Sequence, residues 1–342
     1  MNFLRFFLFP FAFLYGVVVL FRNTLYNLGI FKSYSIPKKS ICVGNLSVGG
    51  TGKTPLVTYI TAFLEQQKHE TSILSRGYGR KTKGFRWVHK DDTVETSGDE
   101  PLLYANRFEN VPVAVSEKRK DGVIAIQKQF PNNKVIVLDD AFQHRAVQAG
   151  LSLLVTDYTQ LFSRDFLLPV GKLREGKIGS RRADAIVVSK CPENLGESEK
   201  TSISKEFKFD PKNVYFSQIF YENPVQFGTK IQTIENYVLV TGIANPAPLL
   251  THLGNENCKA HFEFPDHYPF TAHDIKQIHQ KFDTFANGKT ILLTTEKDFM
   301  RLKPHLSDWK LLCYPWYFQP ISILIDREIE FKNLIATYVG KI

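Results

Sequence analysis

Cysteine, methionine and tryptophan are scarce in this chain: four, two and three residues among 342. Cys42, Cys191, Cys258 and Cys313 are scattered, without the paired spacing that holds zinc or the density that staples a small secreted domain. A disulfide scaffold and a structural zinc site are therefore excluded, which fits a reducing cytosol. There are no internal repeats and no low-complexity segments, so a solenoid is excluded too. Acidic residues are in deficit, with 34 Asp and Glu against 43 Lys and Arg and a net charge of +9. That balance favours an anionic partner such as a nucleotide, an acidic lipid or a phosphorylated substrate. No nucleic-acid partner is expected, because the aromatics gather in the N-terminal segment and core strands instead of alternating with basic residues on one face.

What the chain does contain is ordinary core material. Its hydrophobic fraction of 43% rules out wholesale disorder. Its length makes two domains the default expectation. The N-terminal 31 residues differ in kind, being crowded with Phe, Leu and Val and carrying only Arg5 and Arg22 as charges. The sixteen uncharged residues between those arginines, 6–21, would make a helix of roughly 24 Å, short of the roughly 30 Å hydrocarbon core. Pro10 should disturb its first turns. An anchor lying in the membrane surface is the favoured reading, ahead of a true span, a buried helix or a signal peptide. Lys32, Lys38 and Lys39 follow where anionic headgroups would be.

After this segment, short β-branched runs alternate with helical patterns. Strands are expected at Ser40–Val43, Thr71–Ser75, Val111–Val115, Val135–Leu138, Leu151–Thr156 and Ala185–Ser189. Several are apolar on both faces, as in a helix-covered parallel sheet. A helix is expected over Thr58–Gln67, and a hairpin or mobile loop over Lys81–Thr96. Glu193–Lys208 reads as a helix or connector. A second group of strands follows at Tyr237–Thr241, Ala260–Phe264, Thr290–Thr295 and Leu311–Tyr314. Thr271 and Asp274 form a candidate capping box for a helix with Ile275, Ile278, Phe282 and Phe285 on one face.

The chemistry begins directly after the first strand, in Gly44-Asn45-Leu46-Ser47-Val48-Gly49-Gly50-Thr51-Gly52-Lys53-Thr54. Strand, glycine loop and helix start are what a nucleoside triphosphate needs. Backbone N–H groups from Ser47, Val48, Gly49, Gly50, Thr51 and Gly52 can curl round phosphate oxygens, and the helix N-terminus adds its partial positive charge. Lys53 can reach the β- and γ-phosphates, and the Thr54 hydroxyl can ligate Mg²⁺. The position of the consensus first glycine is Ser47. The run Val135–Leu138 ends in Asp139 and Asp140, placing carboxylates at the edge of the sheet where they can hold Mg²⁺. Gln143 and His144 lie just beyond.

A second acidic cluster, Ser97-Gly98-Asp99-Glu100-Pro101, opens a helix expected over Leu102–Phe108 with Pro101 near its start. Its acids either cap that helix or steer a substrate hydroxyl. Two basic glycine loops, around Arg76–Arg80 and Leu168–Gly176, suit anionic oxygens. His267, between a carboxylate and aromatics, is a further candidate. Thr294–Asp298 is a dense polar turn of unassigned purpose.

In order, the apolar N-terminus, GNLSVGGTGKTP, SRGYGR, GDEP, LDDAFQH, LPVGKLRE, TGIANP, FPDHYPF and TTEKD resemble the tetraacyldisaccharide 4′-kinases of lipid A biosynthesis. The resemblance runs over nearly the whole chain. It implies an α/β protein with a P-loop kinase domain on a mostly parallel sheet (32–218), a smaller α/β domain (219–342) and a membrane-associated segment (1–31). It also implies ATP and Mg²⁺ as cofactors, and transfer of the γ-phosphate to the 4′-hydroxyl of tetraacyldisaccharide 1-phosphate, giving lipid IV-A. The site of action would be the cytoplasmic face of the inner membrane. By the same resemblance Asp99 would be the catalytic base, aided by His267. Asp139 and Asp140 would serve Mg²⁺, and Glu100, Gln143, His144, Arg174 and Glu175 would line the substrate side. Ala141 stands where the family form has glycine. The rival reading is a membrane-associated P-loop NTPase acting as a switch or transport motor. The deviant loop of such ATPases has lysine before the two glycines, where this chain has Val48.

Overall fold

The computed structural model describes residues 7–132 and 134–340, so Arg5 and the start of the apolar segment lie outside it. In chain order the first strands are β1 (Lys39–Gly44), β2 (Thr71–Ser75), β3 (Arg86–Val88), β4 (Val113–Val115), β5 (Val135–Asp139), β6 (Leu151–Asp157), β7 (Ala185–Ser189) and β8 (Val214–Tyr221). The next five form a separate sheet: β9 (Val225–Gln226), β10 (Asn236–Thr241), β11 (Cys258–Glu263), β12 (Thr290–Thr295) and β13 (Trp316–Gln319). The last strand, β14 (Ile321–Ile325), returns to the first sheet.

Across the nine-stranded sheet the order is β14-β8-β7-β6-β1-β5-β2-β4-β3. The inner strands are parallel, and the two edges, β14 and β3, are antiparallel to their neighbours. Strands β2, β5 and β7 are buried at every position, which explains their continuous apolar runs. β1 lies between β5 and β6, where the strand order reverses, and a ligand crevice is expected beyond its carboxyl end. The chain leaves β1 there, through the glycine loop, into helix α1 of the main fold.

That helix, α1 (Lys53–Gln66), starts five residues earlier than its apolar pattern predicts. Phosphate-loop geometry fixes the start, and Leu56, Val57, Ile60 and Leu64 bury the inner face. The polar stretch before Thr96 is an edge strand, β3, followed by a short helix at Val94–Ser97. Its charges face solvent, and Trp87 packs edge-on against Phe85 and Phe130. Leu311–Cys313 is a 3₁₀ turn, and the strand falls later, at β13. Two further strands, β8 and β14, were not expected; β8 carries aromatic and Ser/Gln positions that interrupt an apolar pattern. The helix at Ala272–Asp283 has the expected capping box between Thr271 and Asp274.

The N-terminal helix spans Phe9–Asn27. Pro10 lies in its first turn, where no intrahelical N–H is needed, so it starts the helix without disturbing it. Only Ala12 is buried on it, while Phe11, Phe13, Leu14, Val18 and Phe21 are exposed. Nineteen residues make it long and apolar enough to cross a membrane by length and composition. Its inner side is tied to the large domain: the Tyr15 hydroxyl donates to the Arg174 carbonyl at 2.7 Å, and Asn23 donates to Glu175 at 3.0 Å. Arg145 reaches back to the Asn23 carbonyl at 3.0 Å.

The C-terminal helix, Glu328–Gly340, buries Phe331, Ile335 and Val339 in the core that also holds Val57, Ile60 and Leu153. Phe331 is fully buried, with ring centroids 5.0 Å from Tyr215 and 6.1 Å from Tyr59. Phe331→Ala is therefore expected to destabilise the protein by about 3–5 kcal/mol through lost transfer energy and a cavity. Urea unfolding followed by circular dichroism checks this; a loss under about 1 kcal/mol would mean that the helix does not close this core.

Candidate active site

The glycine loop is braced from three sides. The Val48 N–H donates to the Lys172 carbonyl at 2.8 Å, and Asn45 donates to the Thr51 hydroxyl at 2.8 Å. Ser189, at the end of β7, donates its hydroxyl proton to the Thr51 carbonyl at 2.8 Å. Lys190 donates to the Gly50 carbonyl and to Asp157 at 2.7 Å. Gly49 and Gly52 have φ of 103° and 82°, a left-handed region costly for any side chain. Gly52 is the N-cap of helix α1 and supplies no side-chain cap, so the first amides of that helix are available to an anion.

Two carboxylates face this loop. Asp139, at the end of β5, is buried and accepts from the Ser75 hydroxyl at 2.9 Å. Burial pushes its carboxyl up to about 6, helped by the charges of Asp140 and Glu100 against the opposing pull of Lys53. Asp140 has φ of 48°, which swings its side chain back to the loop. One of its oxygens lies 3.5 Å from the Lys53 ammonium and 3.4 Å from Arg174. Buried Arg119 donates to the backbone carbonyls of both acids, at 3.1 and 3.3 Å, and so holds the turn. Two adjacent carboxylates at a strand end beside the glycine loop suit a bound divalent ion. Among the described residues no group of three His, Cys, Asp or Glu forms a metal cage. A Mg²⁺ ion sharing its ligands with phosphate oxygens fits that donor set.

Gly98 and the following helix, Asp99–Arg107, bring the second acidic cluster in. Asp99 makes no capping hydrogen bond. Instead its Oδ2 lies 2.6 Å from Nδ1 of His267 and also accepts from Arg301. Burial raises the Asp99 carboxyl, but the hydrogen bonds and charges of His267 and Arg301 outweigh it and hold it down to about 2. His267 has φ of 60°, a strained value for a non-glycine residue of the sort that gathers at functional sites. Glu100 is paired with Lys297 at 2.9 Å.

The remaining sequence candidates divide. Arg174 sits on the glycine loop, donating to Asn45 and to the Ser47 carbonyl at 3.1 Å. Glu175 is buried, with its oxygens at 2.7 and 3.0 Å from Arg182, and it meets the N-terminal helix through Asn23. Gln143 offers its carbonyl to Arg22 at 3.3 Å. His144 is pushed down to about 4, by burial first and then by the charges of Arg119, Arg76 and Arg22, so it is neutral at pH 7. Beside these loops a cavity of about 580 Å³ opens between the N-terminal helix and the domain, with Val17, Leu20, Leu167 and Ile178 on its apolar side and Arg145 and Arg181 at its rim. Reading the sequence missed Arg119, Lys190 and Arg301. Lys297 and Asp298, in the polar turn after β12, had drawn notice but no role.

A glycine loop at the switch point of a parallel sheet, with acids at the next strand end, defines a P-loop nucleotide-dependent transferase fold. The chain belongs to the tetraacyldisaccharide-1-P 4′-kinase family, whose profile matches residues 4–339. Tetraacyldisaccharide 4′-kinase of Flavobacterium johnsoniae is 41% identical, over 99% of this chain and 98% of its own length. That of Cytophaga hutchinsonii is 40% identical, over 99% and 97%. LpxK from Aquifex aeolicus, crystallised in complex with ATP, superposes with a TM-score of 0.77 at 30% identity, covering 98% of this chain and 99% of that one. The expected fold class, a P-loop kinase on a mostly parallel sheet with a smaller α/β part and an apolar N-terminal helix, is met.

The Asp99–His267 contact sets a testable pH response. His267 is raised above 6.5, mainly by its hydrogen bond to Asp99, against a smaller lowering by burial. A raised imidazole adds stability that is fully present below the unfolded value and is lost as pH rises through the folded one. An NMR titration should therefore give His267 a midpoint above 6.5, the usual value for an imidazole, and Asp99→Asn should bring it down. An unchanged midpoint in the variant would mean that the pair does not form in solution.

Proposed function

We propose that this chain transfers the γ-phosphate of ATP to the 4′-hydroxyl of tetraacyldisaccharide 1-phosphate, the activity for which its family is named. The observation that carries this is a phosphate loop at the switch point of the large sheet together with an Asp–His pair that joins its helix to the small lobe.

In this reading the backbone amides from Ser47 to Thr54 and the Lys53 ammonium bind the phosphates. Thr54, Asp139 and Asp140 would hold Mg²⁺, which when bound neutralises charge on the β- and γ-oxygens. Asp99 accepts the proton of the acceptor hydroxyl, and His267 orients and tunes it. A carboxylate held near 2 is a weak base. That suffices where the transition state is loose and positioning of the hydroxyl matters more than its early deprotonation. Glu100, Gln143, His144, Arg174 and Glu175 are proposed to serve the substrate side, the last two through the glycine loop and the N-terminal helix. The chain would work as two lobes, 32–218 and 219–342, with its last strand and helix packed back on the first.

The test is incubation with ATP, Mg²⁺ and the disaccharide 1-phosphate, followed by mass analysis of the lipid. The expected product carries one added phosphoryl group. Lys53→Ala should reduce transfer by at least about 10³-fold while the fold persists, because charge stabilisation at the transferred group is lost. ATP hydrolysis without acceptor at a comparable rate would favour the switch or motor reading instead.

We further propose that the protein lies on the cytoplasmic face of the inner membrane, with the N-terminal helix in the interface. Support comes from the exposed apolar face of that helix and from its polar ties to the loops of Arg174 and Glu175, which run it alongside the domain. An acceptor with four acyl chains must be met at a bilayer, and the basic excess suits that surface. Removing residues 1–22 should shift the protein from liposomes to the soluble fraction in a flotation assay. Periplasmic protease access to the N-terminus in intact spheroplasts would show a spanning helix instead.

A further inference from the structure

Arg301 has no part in phosphate or metal binding, yet it is one of the most enclosed charges in the molecule, with a side chain 4% exposed. It lies on the helix Glu296–Leu302, which follows β12 and is capped by the Thr295 hydroxyl accepting from the Asp298 N–H at 3.1 Å. One turn later than Asp298, the guanidinium folds back on that carboxylate, with Nη1 2.6 Å from Asp298 Oδ1. Nη1 also donates to the Gly242 carbonyl at 3.0 Å. With Nη1 so fixed, the planar fork has one remaining direction, and Nη2 is aimed at Asp99, on the helix over the large sheet, and lies 3.2 Å from Nδ1 of His267.

Asp298 has no free capacity for another role. It is fully buried, and its Oδ2 accepts from the Gly242 N–H at 3.0 Å and the Thr295 hydroxyl at 2.7 Å. Gly242 in turn takes the His267 N–H on its carbonyl at 3.1 Å. A side chain at Gly242 would press on Asp298 at 3.0 Å and Arg301 at 3.3 Å. One peptide, at the end of β10, therefore sets both donors that reach Asp99. Both use Oδ2, and among the described residues no donor is recorded on Oδ1. The other charges around this point are Glu100 on the helix of Asp99, Lys297 beside Asp298, and Asp266 beside His267, whose Oδ2 lies 3.8 Å from Nε2.

A buried ion pair between lobes is poorly explained by stability alone, because apolar residues of similar volume do as well or better. We propose that Arg301 is a positioning residue for phosphoryl transfer. Held by Asp298 and Gly242, it pins the Asp99 carboxylate by one oxygen and leaves the other directed at the acceptor hydroxyl. This gives TTEKD and TGIANP a shared purpose, which is to build the frame that presents Asp99. The inference rests on the Asp99–His267 reading above.

The experiment is a double-mutant cycle on the full chain in detergent or liposomes, measuring lipid phosphorylation and thermal unfolding. Arg301→Gln is expected to lower kcat by about 10²-fold, the cost typical of a misplaced catalytic group, with KM for ATP changed less than about threefold. In the Asp99→Asn background the further loss should shrink to under about threefold, because Arg301 and the His267 ring that its Nη2 also approaches both act through that carboxylate. Arg301→Lys should recover part of the loss, since it restores charge without the fork. Should Arg301→Gln fail to fold, the same cycle with Arg301→Lys decides the matter. A kcat within about threefold of wild type, or an equal fold-loss with and without Asp99, overturns the proposal. Absence of transfer by the wild-type chain overturns the kinase reading and this inference together, whereas normal wild-type transfer with an additive cycle overturns this inference alone.

Discussion

The contact on which the arrangement turns is the one between Asp99 and the pair His267 and Arg301. Asp99 belongs to a helix over the large sheet, and its partners belong to segments at the carboxyl edge of the small one. A buried carboxylate without such partners would be strongly penalised, so Asp99 can stay charged only while His267 and Arg301 of the small lobe stay against it. Lys297 and Glu100 add a second pair beside it, and Arg107 a third, reaching Glu222 at 2.7 Å and the Ile321 carbonyl at 2.9 Å. Asp99 and Glu100, which hold these contacts, are also acids that the proposed chemistry uses.

The division of labour between the lobes follows from their construction. The large sheet supplies a phosphate loop because its central strand ends at a switch point, with Ser189 and Lys190 from the neighbouring edge bracing the loop. The small sheet supplies no phosphate-binding loop of its own. Its strand ends instead carry His267, which meets Asp99 of the large lobe, and Gly242 and Asp298, which hold Arg301 toward it. An acceptor hydroxyl entering between them would meet groups from both halves at once.

Much of this was legible in the sequence, and the reasons are physical. Strands buried on both faces announce themselves as apolar runs, so β1, β2, β5, β6 and β7 could be placed within a residue or two. The capping box at Thr271 and Asp274 is a local hydrogen-bond pattern and needs no tertiary knowledge. The strands near the two edges were the failures. β3 is three residues long and β14 five, each with a single neighbour, and β8, paired on both sides, mixes Ser, Gln and aromatic residues that break an apolar run. Leu311–Tyr314 misled for the opposite reason: Leu311 is buried as a single anchor, not as part of a ladder.

The site shows the same asymmetry. Lys53, Thr54, Asp139 and Asp140 could be named because backbone geometry ties them to strand ends at fixed offsets. Arg301 could not. An arginine on a helix is a solvated charge in most settings, and what buries this one is a partner 202 positions away in the chain. The dense polar turn before it was visible, but a turn rich in Thr, Glu, Lys and Asp says only that hydrogen bonds will be made, not to whom. The asymmetry is general to two-lobed enzymes: the lobe that binds phosphate writes a contiguous motif, because one loop does the binding. The lobe that completes the site contributes single side chains from several strand ends. Their meaning lies in a contact that forms only when the chain has folded back on itself.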